Sequence, residues 1–171
     1  NLDSGARWDS SSVTVGLMSS KIGPAMTILA DVVRHPTFTA EEIERQRQQY
    51  MDDITLALGD PGSIARFVAA RVVFGDSPYG HPIPGTVESL KRIPRDDIVK
   101  LHERFYRPDN ATLIVVGDFN PSDLEKWTKR YFGAVARPTT KIPRVTVTEP
   151  ARKEDRHEVL PSAKAPLPAF A

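Results

Sequence analysis

Asp31-Val-Val-Arg-His-Pro-Thr-Phe-Thr-Ala-Glu-Glu-Ile-Glu-Arg-Gln-Arg47 contains the end of one helix, a break, and the start of another. Upstream of it, Ile22, Met26, Leu29, Ala30 and Val33 fall at helical spacing, which predicts an amphipathic helix over residues 21–34. Pro36 disfavours helical geometry at His35 and closes that helix. Downstream, Thr39 and Glu42 make a Thr-x-x-Glu box, in which each side chain satisfies an amide at the other end. Ile43, Tyr50, Ile54 and Leu58 then line one stripe of a long helix that runs to Gly59.

Working outward, Val13, Val15 and Leu17 alternate with Ser12, Thr14 and Gly16, the period of a half-buried strand. Asp60-Pro61 starts a third helix, Asp as cap and Pro in the first turn, with Ile64, Phe67, Val68 and Val72 as its apolar face. Residues 75–86 hold three Gly and three Pro and read as a loop of fixed turns. Helices are expected around residues 87–93 and 96–106, and a buried strand over 111–116, where Leu113 to Val116 is continuously apolar. Asn120-Pro121 caps a last helix carrying Leu124, Trp127 and Phe132 and stopped by Gly133. Beyond it, Pro138, Pro143, Pro150, Pro161, Pro166 and Pro168 break up a charged stretch. The expected organisation is a module over residues 1–136 followed by a Pro-rich linker over 137–171, leading toward a further module.

At 171 residues the chain is long enough for one domain that buries roughly two-thirds of its extended-chain surface. The 23 basic and 22 acidic residues leave a net charge of +1, too small a field to favour nucleic acid or acidic lipid. With no cysteine, disulfides and thiolate metal sites are excluded, and the compartment is left open. No apolar run reaches the ~18–20 residues of a membrane span. The chain opens on Asn1 with no initiator Met, and we expect it to be a piece of a longer polypeptide.

The chemistry-bearing residues are sparse. His35, His81, His102 and His157 are never closer than 21 residues, so no two share a helical turn. His157-Glu158 begins like a forward zinc motif, but Pro161 stands where the second His is required. No Gly-x-Ser-x-Gly elbow, phosphate loop or dinucleotide fingerprint occurs, and Gly117-Asp118 is followed by Phe-Asn-Pro instead of a Gly-rich turn. Trp8, Phe105, Trp127 and Tyr131 are spaced as core or interface residues and not as a base-stacking set. No catalytic, cofactor-binding or metal-binding residue is assigned from the residues themselves.

Three stretches carry a resemblance: residues 31–47, Ser77-Pro-Tyr-Gly-His-Pro-Ile-Pro-Gly-Thr86, and Tyr106-Arg-Pro-Asp-Asn-Ala-Thr-Leu-Ile-Val-Val-Gly-Asp118. In this order and spacing they resemble the insulinase/pitrilysin/mitochondrial-processing-peptidase family of zinc metallopeptidases. The inverted His-x-x-Glu-His motif of that family does not occur in these residues. The resemblance spans about residues 5–135. It implies an α+β fold, a largely antiparallel sheet with helices on one face, whose first strands would precede Asn1.

The resemblance also implies where a metal would be served. The family's third zinc ligand, a Glu, falls on Asp53, and its supporting acid falls on Gln46. Asp reaches one methylene less far, and Gln carries no charge. The family builds its proteins from two or four copies of one module, and later copies commonly lack the metal. The expectation is therefore a non-catalytic copy shaping a substrate chamber, with zinc in the parent or a partner module and none in this chain. Tyr79-Gly80-His81-Pro82 would serve as a connector, or as a place where Gly80 and Gly85 let a peptide approach. The implied partners are a peptide or protein substrate and other modules of the chain or a partner subunit, with no nucleic acid and no membrane span. Two alternatives stay open: a zinc motif upstream of Asn1, and an assembly module with no peptidase in its complex, as in core subunits of respiratory complexes that share the fold.

Overall fold

A computed structural model describes residues 1–135 and 138–142. They fall in two compact units, one holding Asn1–Phe38 and residues 95–142, the other Thr39–Pro94.

In the first unit, β1 (Leu2–Ala6) and β2 (Ser11–Val15) form an antiparallel hairpin, with Leu2 opposite Val15 and Ala6 opposite Ser11. Val13 and Val15 are half-buried while Ser12 and Thr14 face water, as the alternation predicts. The strand stops at Val15, two residues short of Leu17. Its partner β1 has no alternation of its own to read; pairing imposes the strand on Asp3-Ser4-Gly5 despite their poor intrinsic preference.

Helix α1 (Ile22–Arg34) buries Met26 and Ala30 and packs against α6 (Pro121–Phe132). The indole of Trp127 lies over Gly23, so close that a Cβ there would sit 3.2 Å from the ring. The Thr27 and Tyr131 hydroxyls are 2.7 Å apart, and Arg34 Nη1 donates to the Tyr131 carbonyl at 2.7 Å. Asn120 caps α6 through its side-chain oxygen, which accepts from the amides of Ser122 and Asp123. The third helix of the unit is α5 (Arg95–Phe105).

In the second unit, α2 (Ala40–Ala57) and α3 (Pro61–Phe74) begin where the caps predict, and α4 (Val87–Arg92) lies within the expected 87–93. Asp60 accepts from the Ser63 amide at 2.8 Å. The Thr39–Glu42 box is only half made. Thr39 Oγ1 accepts from the Glu42 amide, but the Glu42 carboxylate is taken by Arg45 at 2.8 Å. The reciprocal box instead occurs at Thr86 and Ser89, where each hydroxyl accepts from the other's amide.

Two expectations change. The segment 111–116 has no regular secondary structure and no strand partner among the described residues, with Ile114 78% and Val116 91% exposed, so it is not a buried strand. A strand exists only where a neighbour takes its amides and carbonyls. Among the described residues the sheet has two strands, β1 and β2. The α+β class holds, with helices predominating and a smaller sheet than expected. The core is also smaller: among the described residues, Met26, Ala30 and Ile54 are the buried apolar side chains. The faces of α3 and α6 stay half-buried. The linker expected over residues 137–171 lies outside the described residues except for 138–142.

Candidate functional site

The positions where a metal would be served lie on α2. Gln46 and Asp53 are both exposed and seven residues apart, so about 10 Å separates them along the axis. Asp52 accepts from Gln48 Nε2 at 2.9 Å. It points about 100° away from Asp53 and cannot pair with it. The face through Glu41, Glu44, Gln48 and Asp52 is shallow and open.

None of the described histidines belongs to a metal-ligating cluster. His35 closes α1 with Nδ1 3.2 Å from the Asp31 carboxylate. His102 Nε2 donates to the Val33 carbonyl at 2.8 Å, and its ring stacks on Tyr106 and meets Phe38 edge-on. His81 Nδ1 lies 2.9 Å from the Pro82 carbonyl. His157 and Glu158 lie outside the described residues. Among the described residues no three His, Cys, Asp or Glu side chains converge as a metal site requires. The described residues do not fit a zinc ion.

The residues that carry the resemblance serve the fold in ways the sequence does not announce. Arg47, half-buried on α2, donates through Nη2 to the Ile93 carbonyl at 2.9 Å and through Nη1 to the Leu90 carbonyl. These carbonyls lie at the C-terminal end of α4, where the Leu90 oxygen otherwise takes only the Ile93 amide at 3.4 Å and a cation also opposes the helix dipole. Arg107 is 6% exposed and grips Asp109 through two parallel bonds, Nε at 3.0 Å and Nη2 at 2.7 Å. The same Nη2 reaches the Thr140 carbonyl at 2.8 Å, tying residues 138–142 to the turn after α5. The hydrogen bond it donates to Asp109 raises the Arg107 pKa above its ordinary value, so the guanidinium stays charged. Asn110 Nδ2 completes this turn by donating to the Phe105 carbonyl.

The Tyr79-Gly80-His81-Pro82 segment is wound on itself. The Gly80 amide bonds the Ser77 carbonyl and the Gly85 amide bonds the Pro82 carbonyl, both at 2.9 Å. A Cβ on Gly80 would run into the Gly75 carbonyl, and Gly85 has φ of +78°. Gly80 therefore makes room for the chain's own backbone, which is the connector role. The aromatic residues do not form a stacking platform: Trp127 and Tyr131 face α1, and the Phe105 ring lies under the Arg104 guanidinium.

Against known proteins, the profile of the peptidase M16 inactive domain matches residues 92–170. An uncharacterized zinc protease of Rickettsia bellii is 27% identical over 121 residues, which cover 71% of this chain and 29% of that protein. The uncharacterized zinc protease YmxG of Bacillus subtilis is 28% identical, covering 63% of this chain and 27% of its own length. The chain is similar to proteins of the insulinase/pitrilysin, or M16, peptidase family. It spans less than a third of the length of these relatives. In fold, it is similar to a protease from Helicobacter pylori, with a TM-score of 0.78 at 20% identity over 88% of this chain and 37% of that one. A peptidase M16 inactive domain from Pseudomonas fluorescens gives 0.70 at 24% identity, over 85% and 36% respectively. Among the described residues no helix is long and apolar enough to cross a membrane.

Proposed function

We propose that this chain is a non-catalytic module of a zinc metalloendopeptidase, one that helps to wall the chamber in which a peptide substrate is held. The observation that carries the reading is the pair on α2. Gln46 and Asp53 stand in water with no third ligating group beside them among the described residues. The inactive-domain profile and the relatives named zinc proteases support it. On this reading the metal and the cleavage chemistry belong to another module of the same polypeptide or to a partner subunit. This chain contributes surface and interface.

Metal analysis tests the division of labour. Residues 1–171 purified without chelator should hold far less than one zinc per chain, whereas the complete polypeptide, or its complex with a partner bearing His-x-x-Glu-His, should hold one. A tightly bound zinc in residues 1–171 that is lost in Asp53→Ala would overturn the proposal. A complete reading frame and partner set with no His-x-x-Glu-His would transfer the chain to the assembly class.

A further inference from the structure

We infer that Arg107 is a latch. It holds the surface segment 138–142 against the turn after α5, and its release frees that segment without unfolding the helices. The inference goes beyond the peptidase reading and does not depend on it.

Among the described residues, Arg107 is the one charged side chain that is buried, at 6% exposed. A guanidinium presents a rigid plane of N–H donors, and burying it is unfavourable unless they are met. Here the plane is divided between two partners. Nε and Nη2 bond the Asp109 carboxylate at 3.0 and 2.7 Å, which neutralises the charge within the turn itself. The remaining donors reach across 33 residues, Nη2 to the Thr140 carbonyl at 2.8 Å and Nη1 toward the Thr140 hydroxyl at 3.5 Å.

The segment held in this way has no regular secondary structure. Pro138, Thr139, Thr140 and Lys141 are exposed and Ile142 is half-buried, so the segment hides little apolar surface that could fix it in place. When Thr140 leaves, Asp109 stays with Arg107, and no buried charge is stranded. Opening therefore breaks a charge-assisted hydrogen bond and leaves the ion pair whole. Such a bond shifts a local equilibrium roughly ten- to hundredfold. Closed, the chain beyond Ile142 sets out from a point fixed on the turn after α5. Open, it gains the slack of residues 138–142, and the Lys141–Ile142 bond becomes able to enter a protease cleft.

Limited digestion of the complete native polypeptide with trypsin, the fragments read by mass spectrometry, tests the latch. Arg107→Lys keeps a cation for Asp109 but lacks the planar fork that serves both partners. Cleavage after Lys141 should become roughly ten- to hundredfold faster in this variant, because cutting follows the population of the open form. Cleavage after Lys100 in α5 and Lys126 in α6 should keep the parent rate, and the melting temperature should stay within a few degrees. Where Arg107→Lys does not fold, Arg107→Met combined with Asp109→Leu replaces the buried pair by apolar side chains and also removes the latch. It should show the same selective acceleration. Parent-like cleavage after Lys141 in the folded variant overturns the inference. So does acceleration at all three sites together with a lowered melting temperature, which would make Arg107 a support of the whole fold. Failure of both variants to fold would overturn it for the same reason.

Discussion

At Arg47 one guanidinium is shared among the Glu44 carboxylate on its own helix and the Leu90 and Ile93 carbonyls at the end of α4. The residue stands in the stretch that marks the family, one position from Gln46, yet it holds a helix end. Arg47→Met keeps most of the side-chain stem and removes all three bonds. It should cost about 1–3 kcal/mol, because the Ile93 carbonyl loses this donor and the Leu90 carbonyl keeps only the long bond from the Ile93 amide; urea denaturation would measure it, and a loss near zero would mean that water replaces the guanidinium. Asp60 makes a second, pH-dependent case. The Ser63 hydroxyl and then the Ser63 amide hold its carboxyl below the usual 3.8. A folded pKa lower than the unfolded one stabilises the fold fully above 3.8, and this is lost as pH falls through the lower folded value. Asp60→Asn keeps a good cap and cannot titrate. The urea midpoint of the parent, measured against that variant, should therefore fall as the solution is taken below pH 3.8. Parallel midpoints across that range would remove Asp60 from the acid response.

Elements were legible where the signal is local. The caps at Thr39, Asp60 and Asn120 and the break at His35-Pro36 belong to single turns of chain, and each helix starts or stops beside them. Strands depend on what lies across from them. β1 was invisible because Asp3, Ser4 and Gly5 look like a turn, and 111–116 was over-read because its apolar run reports burial that a partner must supply. The box at Thr86 was missed because Ser89 takes the place of the usual Glu or Gln. Contacts between distant segments, such as Arg47 on α4 or Arg107 on Thr140, leave no periodic trace. The contact of α1 with α6 is also of this kind. It rests on the Trp127 indole over Gly23, so Trp127→Ala should destabilise the first unit by about 2–3 kcal/mol, less than for a fully buried indole. Thermal melting followed by helical circular dichroism is the measurement. An unchanged midpoint would mean that the helices are held by Met26 and Ala30 alone.

For the whole molecule, the chemistry is constrained by what peptide hydrolysis demands at neutral pH. The amide bond must be met by a generated nucleophile, from a metal-bound water or from a Ser, Cys or Thr beside a base. The described residues bring together no metal-ligating group of three, and the sequence has no cysteine and no nucleophile elbow. Asp52 and Asp53 diverge on α2, so they cannot act as a carboxylate pair. Residues 1–171 alone should therefore leave an unstructured peptide uncut over hours. Cleavage should appear when the complete polypeptide or a partner supplies His-x-x-Glu-His, and should vanish on adding a chelator. Quenched-fluorescence peptides read by mass spectrometry would locate any cut. Cleavage by a clean preparation of residues 1–171, abolished by Asp53→Ala, would place the catalytic centre on α2 and refute the proposed division of labour.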